Sequence, residues 1–192
     1  VFTPLRKRLQ TLLDEIMGSD TKPSNAFNEI ALPVEQQQAF VRSIASQIGF
    51  DFDAGRLDES THPFCSGTHC KDIRMTTRFH ENNVNDAIGS TMHESGHGIY
   101  EQGLLFEHVG TPMGHAVSLG IHESQSRMWE NQVGRSRAFW QWCHPTMKEF
   151  FGNATDSLSF DDVHGGANIV RPDFIRVEAD EATYNMHIMI RF

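Results

Sequence analysis

Basic residues are in deficit: 16 Lys and Arg stand against 25 Asp and Glu, a formal net charge of −9. That balance excludes a nucleic-acid partner and a basic membrane-binding face, since both need cation-rich surfaces. Long apolar runs are missing too. No stretch approaches the roughly 20 residues of a membrane span, and no signal peptide opens the chain. Cysteine is scarce: Cys65, Cys70 and Cys143 are odd in number and form no C-x-x-C pair. They are read as reduced thiols of a cytoplasmic protein. There are no repeats, low-complexity tracts or long linkers. What is present is an ordinary globular composition, 39% hydrophobic and 21% charged over 192 residues, enough for one domain with its own core. Val1 is no initiator methionine and no helix-stop signal precedes Phe192, so the chain is expected to be an internal, single-domain piece of a longer protein.

Hydrophobic spacing predicts a mainly α fold. In residues 4–18, Leu5, Leu9, Leu12, Leu13 and Ile16 recur at helical intervals before Gly18. Residues 32–49 repeat that logic between Pro33 and Gly49. Residues 50–68 are mixed and turn-rich. Residues 71–79 alternate through Ile73, Met75 and Phe79 as a half-buried strand does. Helices are then expected over 85–103, with Asn85 as cap, and over 117–134, 137–152 and 159–170. A short strand at 173–179 and a last helix near 180–192 complete the chain. Phe139, Trp140, Trp142, Phe150 and Phe151 are read as core packing, with a dimer contact as the minor reading.

One stretch carries chemistry. In "STMHESGHGIYEQG", residues 90–103, His93 and His97 stand four apart, so both imidazoles can point from one helix face at a common point. Zinc takes such nitrogens at about 2.0–2.1 Å, and a catalytic site has three protein ligands with one open position. Glu94, beside the first histidine, can reach water there as a general base. The competing reading is two satisfied histidines, because H-E-x-x-H arises by chance in about 4% of chains of this composition. A third ligand separates the two. Glu123, one helix downstream in "GIHESQSRMWEN", supplies the carboxylate of a His2Glu site, in a polar knot with His122, Ser124, Gln125 and Ser126.

Five stretches in order, "HPF" (62–64), "DIRMT" (72–76), "HESGH" (93–97), "HESQ" (122–125) and "IRVEAD" (175–180), make the chain similar to the carboxypeptidase Taq family, the M32 zinc metallocarboxypeptidases. The resemblance covers residues 62–180. A further family motif, G-x-x-Q-D-x-H-W, does not occur here. The resemblance implies a zincin-like helical metallopeptidase core with a small β-sheet, truncated at both ends. It implies Zn2+, or another divalent ion such as Co2+, on His93, His97 and Glu123, with Glu94 as general base. It also implies a long cleft, a homodimer and removal of single residues from the free C-termini of peptides.

A carboxypeptidase must hold a free α-carboxylate, which an arginine fork does best. Arg74 and Arg176, inside matching motifs, are the candidates, each with an ion pair to Asp72 or Asp180 as its structural alternative. His62 could lie near the cleft, although a histidine before proline in a turn is more often architectural. Asp180 is expected to orient a metal-bound histidine through its second ring nitrogen, with Glu130 as the weaker choice. Tyr184 is a possible oxyanion donor, although tyrosine in an apolar helix is more often core. In the expected mechanism the ion activates water and polarises the scissile carbonyl, while Glu94 moves the proton to the leaving amine. A zinc endopeptidase, an aminopeptidase or a folded, metal-binding but inactive fragment are the rival readings. The ordered motifs, and the lack of a G-x-M-E-N stretch, favour the carboxypeptidase.

Overall fold

A computed structural model describes residues 2–171 and 180–191. Its helices are α1 (Phe2–Gly18), α2 (Ala26–Glu29), α3 (Val34–Gln47), α4 (Val84–Gln102), α5 (Leu119–Arg127), α6 (Arg137–Phe151), α7 (Phe160–Ala167) and α8 (Glu181–Arg191). Between α3 and α4 lie three strands, β1 (Gly55–Glu59), β2 (Phe64–His69) and β3 (Asp72–Thr77). The mainly helical expectation holds. The strand expected at 173–179 lies outside the described residues.

Two strands went unforeseen. β1 (GRLDE) and β2 (FCSGTH) are edge strands rich in polar and small residues, so their sequences carry no apolar alternation. β3 lies between them, parallel to β1 and antiparallel to β2, with Met75 level with both Leu57 and Cys65. The central strand alone shows the inward set, Ile73, Met75 and Thr77, all buried. Tertiary pairing, not local pattern, makes the other two.

The main core is built by α2, α3, α4, α6 and α7 around Phe27, Phe40, Ile88, Met92, Trp140 and Met147. Phe27 meets the Trp140 ring edge-on at 5.4 Å, as aromatic quadrupoles favour. Phe139 and Phe151 are buried as expected, but Trp142 is 41% exposed. A smaller cluster of Ala45, Phe50, Ile73 and Met75 binds the sheet to the helices. Gly49, at φ +112°, turns the chain from α3 toward Phe50, a left-handed conformation glycine adopts without steric cost. In α1 the predicted stripe leans on α8, with Leu9, Leu13 and Ile16 half-buried and Leu5 and Leu12 exposed.

The helix that bears the histidines begins one residue earlier than expected. Asn83, not Asn85, is its cap, accepting from the Asp86 N–H at 3.2 Å. The single helix expected over 117–134 is divided. Ser118 caps α5 through the Ile121 N–H, and Met128–Val133 then form a π-helical turn, closed by the Gly134 N–H on the Trp129 carbonyl at 2.8 Å. Such wide turns are rare and recur at functional sites.

Candidate metal centre

α4 packs antiparallel to α5 and to the π-helical turn that follows it, and the contacts run in opposite order: Glu101 with His122, His97 with Glu123, His93 with Glu130. The helices meet at Gly96. A methyl group there would stand 2.6 Å from the Ser126 Cα and 2.7 Å from the Gln125 carbonyl oxygen. Only glycine permits this approach. Buried Ser126 sits opposite, its hydroxyl donating to the Glu123 carbonyl at 2.7 Å and to its carboxylate at 3.2 Å.

The close crossing converges three side chains. Ligand atoms of His93, His97 and Glu123 all lie within 4.8 Å of one another. The Glu123 Oε2 is 3.3 Å from His97 Nε2 and 3.8 Å from His93 Nε2. Ligands about 2.0–2.1 Å from a tetrahedral ion stand about 3.4 Å apart, so the trio fits a divalent metal. The electrostatics agree. Burial opposes protonation of the His93 ring, yet the Glu130 hydrogen bond and the charges of Glu130, Glu94 and Glu123 outweigh it and raise its pKa. The site favours positive charge at the point where the three side chains meet.

The second nitrogen of His93 is held by Glu130, with 2.8 Å between Nδ1 and the carboxylate. This pins the ring with Nε2 toward Glu123. Glu130 is kept below the usual carboxylate range: its burial works the other way, but the His93 hydrogen bond and charge, with Arg127 and Arg135, prevail. Arg127 donates to Glu130 at 3.1 Å and to Glu181 of α8 at 2.7 Å, with Tyr184 stacked 4.3 Å from its guanidinium carbon. His97 stacks on His122 at 4.5 Å, and His122 pairs with Glu101 at 2.7 Å. The buried Nδ1 of His97 has no partner among the described residues.

Glu94 is 6% exposed, and burial pushes its carboxyl up to about 7, His93 opposing and Glu123 and Glu130 reinforcing the shift. His97, chiefly, holds Glu123 below its ordinary value. The whole group opens into a cleft of about 660 Å3, also lined by His62, Cys65, Arg78, Gly89, Asp180 and Tyr184.

Two expected roles move. Asp180 makes no hydrogen bond to a histidine among the described residues; its carboxylate caps α8, accepting from the N–H groups of Ala182 and Thr183, and holds the Arg171 N–H. Glu130 takes the orienting position instead, because the antiparallel register brings it level with His93. Arg74 is not among the residues lining the cleft. It projects from the outer face of β3 and forks onto Asp72 with two 2.9 Å bonds. Strand alternation explains this: Ile73 and Met75 point inward, so Arg74 points out. Arg176 lies outside the described residues. The sequence reading missed Arg127 and Arg135, which line the cleft; the spacing of Arg127 three before Glu130 was the available signal.

The chain matches, over residues 1–192, the family described as carboxypeptidase Taq (M32) metallopeptidase. It is 49% identical to Thermostable carboxypeptidase 1 of Thermus thermophilus over 191 residues, covering 100% of this chain and 37% of that protein. Carboxypeptidase 1 of Bacillus subtilis is 40% identical over 192 residues, with 100% and 38% covered. Among solved structures, the M32 carboxypeptidase from Deinococcus radiodurans R1 superposes with a TM-score of 0.94 at 41% identity, over 100% of this chain and 38% of that one. The chain thus spans well under half the length of these relatives.

Proposed function

The chain belongs to the carboxypeptidase Taq (M32) metallopeptidase family, and we propose that it carries the metal centre and general base of a zinc carboxypeptidase that removes single residues from peptide C-termini. The observation that carries this reading is the convergence of His93, His97 and Glu123 while Glu130 holds the far nitrogen of His93. Those three side chains would hold the ion. When bound, a divalent cation there supplies Lewis acidity, making water more acidic and polarising a carbonyl.

The protein's own groups do the rest. Glu94 lines the same cleft and is buried, which pushes its carboxyl up to about 7 with no ion bound; a divalent cation beside it favours the carboxylate, the form that takes a proton from water. Its carboxylate accepts a proton from the attacking water and returns it to the leaving amine. Glu130 fixes the His93 ring, and Arg127 fixes Glu130. A free C-terminus brings a carboxylate that needs a cation. Arg135, which donates to the Asn131 side chain and the Ala167 carbonyl, and Arg171 line the cleft with no carboxylate in salt-bridge range among the described residues, and the family resemblance makes Arg176 a further candidate. Zinc as the resident ion and a homodimer rest on the family resemblance. Three free cysteines support a reducing, cytoplasmic setting.

The test is direct. The zinc-loaded full-length chain is given an N-blocked dipeptide with a free C-terminus, beside its C-terminal amide. Cleavage of the acid alone is expected. Equal turnover of both ends the carboxypeptidase reading.

A further inference from the structure

α4 contains three interior glycines besides its cap region, and two have packing reasons. A methyl group on Gly96 would meet the Ser126 backbone at 2.6 Å, and one on Gly98 would meet the Phe50 ring at 2.6 Å. Gly89 has no such reason. Nothing among the described residues lies within 4 Å of where its Cβ would be. Glycine inside a helix is destabilising relative to alanine, so an unpacked one needs another explanation.

Its position supplies that explanation. Gly89 lines the cleft one turn before His93, on the face shared by Asn85, Asp86, Ser90, His93 and His97. From His93 back to Asn85 the helix rises about 12 Å, the length of three to four residues of extended peptide. Asn82 and Asn85 line this arm, and their side chains make no hydrogen bond to the described residues. Side-chain amides offer both a donor and an acceptor, as a peptide main chain requires. A carboxypeptidase leaves only one residue beyond the scissile bond, so an arm this long holds residues before it.

Resting on the carboxypeptidase reading of the site, we propose that Gly89 is a specificity-determining residue: its missing side chain keeps open the arm of the cleft that takes the peptide main chain preceding the scissile bond. Asn82 and Asn85 bond that main chain. A branched side chain at position 89 fills the arm next to His93 and leaves the metal ligands alone.

The experiment uses the zinc-loaded full-length chain, with Gly89→Ala and Gly89→Leu, on N-blocked free-acid peptides from dipeptide to hexapeptide that share their last two residues. In the parent, kcat/KM is expected to climb with length. Gly89→Leu should remove that climb, the hexapeptide losing at least about tenfold more than the dipeptide. Binding of the same peptides to a Glu94→Gln, Gly89→Leu double variant, followed by calorimetry, should weaken with length in the same order against Glu94→Gln alone. Zinc content should hold, and Gly89→Ala should hold or raise the melting temperature. A loss equal at every length, a parent indifferent to length, or a Gly89→Ala variant that melts lower overturns the proposal, the last because the glycine would then serve packing. A parent that cleaves no free-acid peptide sinks the reading of the site itself; an active parent whose length profile survives Gly89→Leu sinks this inference alone.

Discussion

Gly96→Ala attacks the centre without touching a ligand. The added methyl would lie 2.6 Å from the Ser126 Cα, 2.7 Å from the Gln125 carbonyl oxygen and 2.9 Å from its carbon. All three are backbone atoms, so no rotamer change relieves the contact. An ordinary carbon contact is near 3.5–4.0 Å, and α5 must therefore retreat by about 0.8–1 Å. Glu123 rides on that helix, three residues before Ser126, while His93 and His97 stay on α4. Metal–ligand distances tolerate about ±0.2 Å, so the shift exceeds what coordination accepts. Overpacking of this kind destabilises by about 1–3 kcal/mol. Zinc affinity should fall at least about tenfold, by analogy with disturbed supporting shells. Competition against a fluorescent chelator measures the affinity, and urea unfolding of the metal-free protein measures the stability. A Gly96→Ala protein with parental affinity and midpoint would refute the claim that this crossing sets the site.

Glu94→Gln should keep zinc and abolish peptide hydrolysis, since the amide cannot accept the proton; parental turnover would reassign the base. Glu130→Ala should leave the His93 ring free to turn, weakening zinc binding about 10–100-fold; a chelator titration that detects no change would show that the 2.8 Å contact is idle. Burial pushes the Cys143 thiol up to about 12 from 9.0, so the native thiol should resist iodoacetamide at pH 8 and react only after unfolding. The unfolded thiol ionises first, so this group's contribution to stability is full below about pH 9 and is lost as pH rises toward 12. Mass spectrometry of the alkylated native protein checks the first part, and unfolding midpoints across that range check the second.

The local part of the site was legible in the sequence. Four-residue spacing on a helix fixes the relative direction of His93 and His97 whatever surrounds them, because the backbone period does so. Glu94 follows from being next in sequence, and β3 was legible through its inward Ile73 and Met75. Glu123 could be named as the third side chain from its place one helix downstream. The rest depended on which helices touch and in what register. Asp180 and Glu130 are both carboxylates at helix boundaries, and no local pattern distinguishes them. The crossing at Gly96 and Ser126 brings Glu130 level with His93 and leaves Asp180 to cap its own helix. For Arg74 the sequence left a substrate contact and an ion pair with Asp72 both open, and the structure has the ion pair: a motif records that an arginine is present, but strand pairing decides which face of the sheet it occupies. β1 and β2 became strands only because β3 offered hydrogen-bond partners on both edges. Local periodicity is set by the geometry of one element, whereas distances between elements arise from side-chain packing across the whole fold, and that information exists only once the chain has closed on itself.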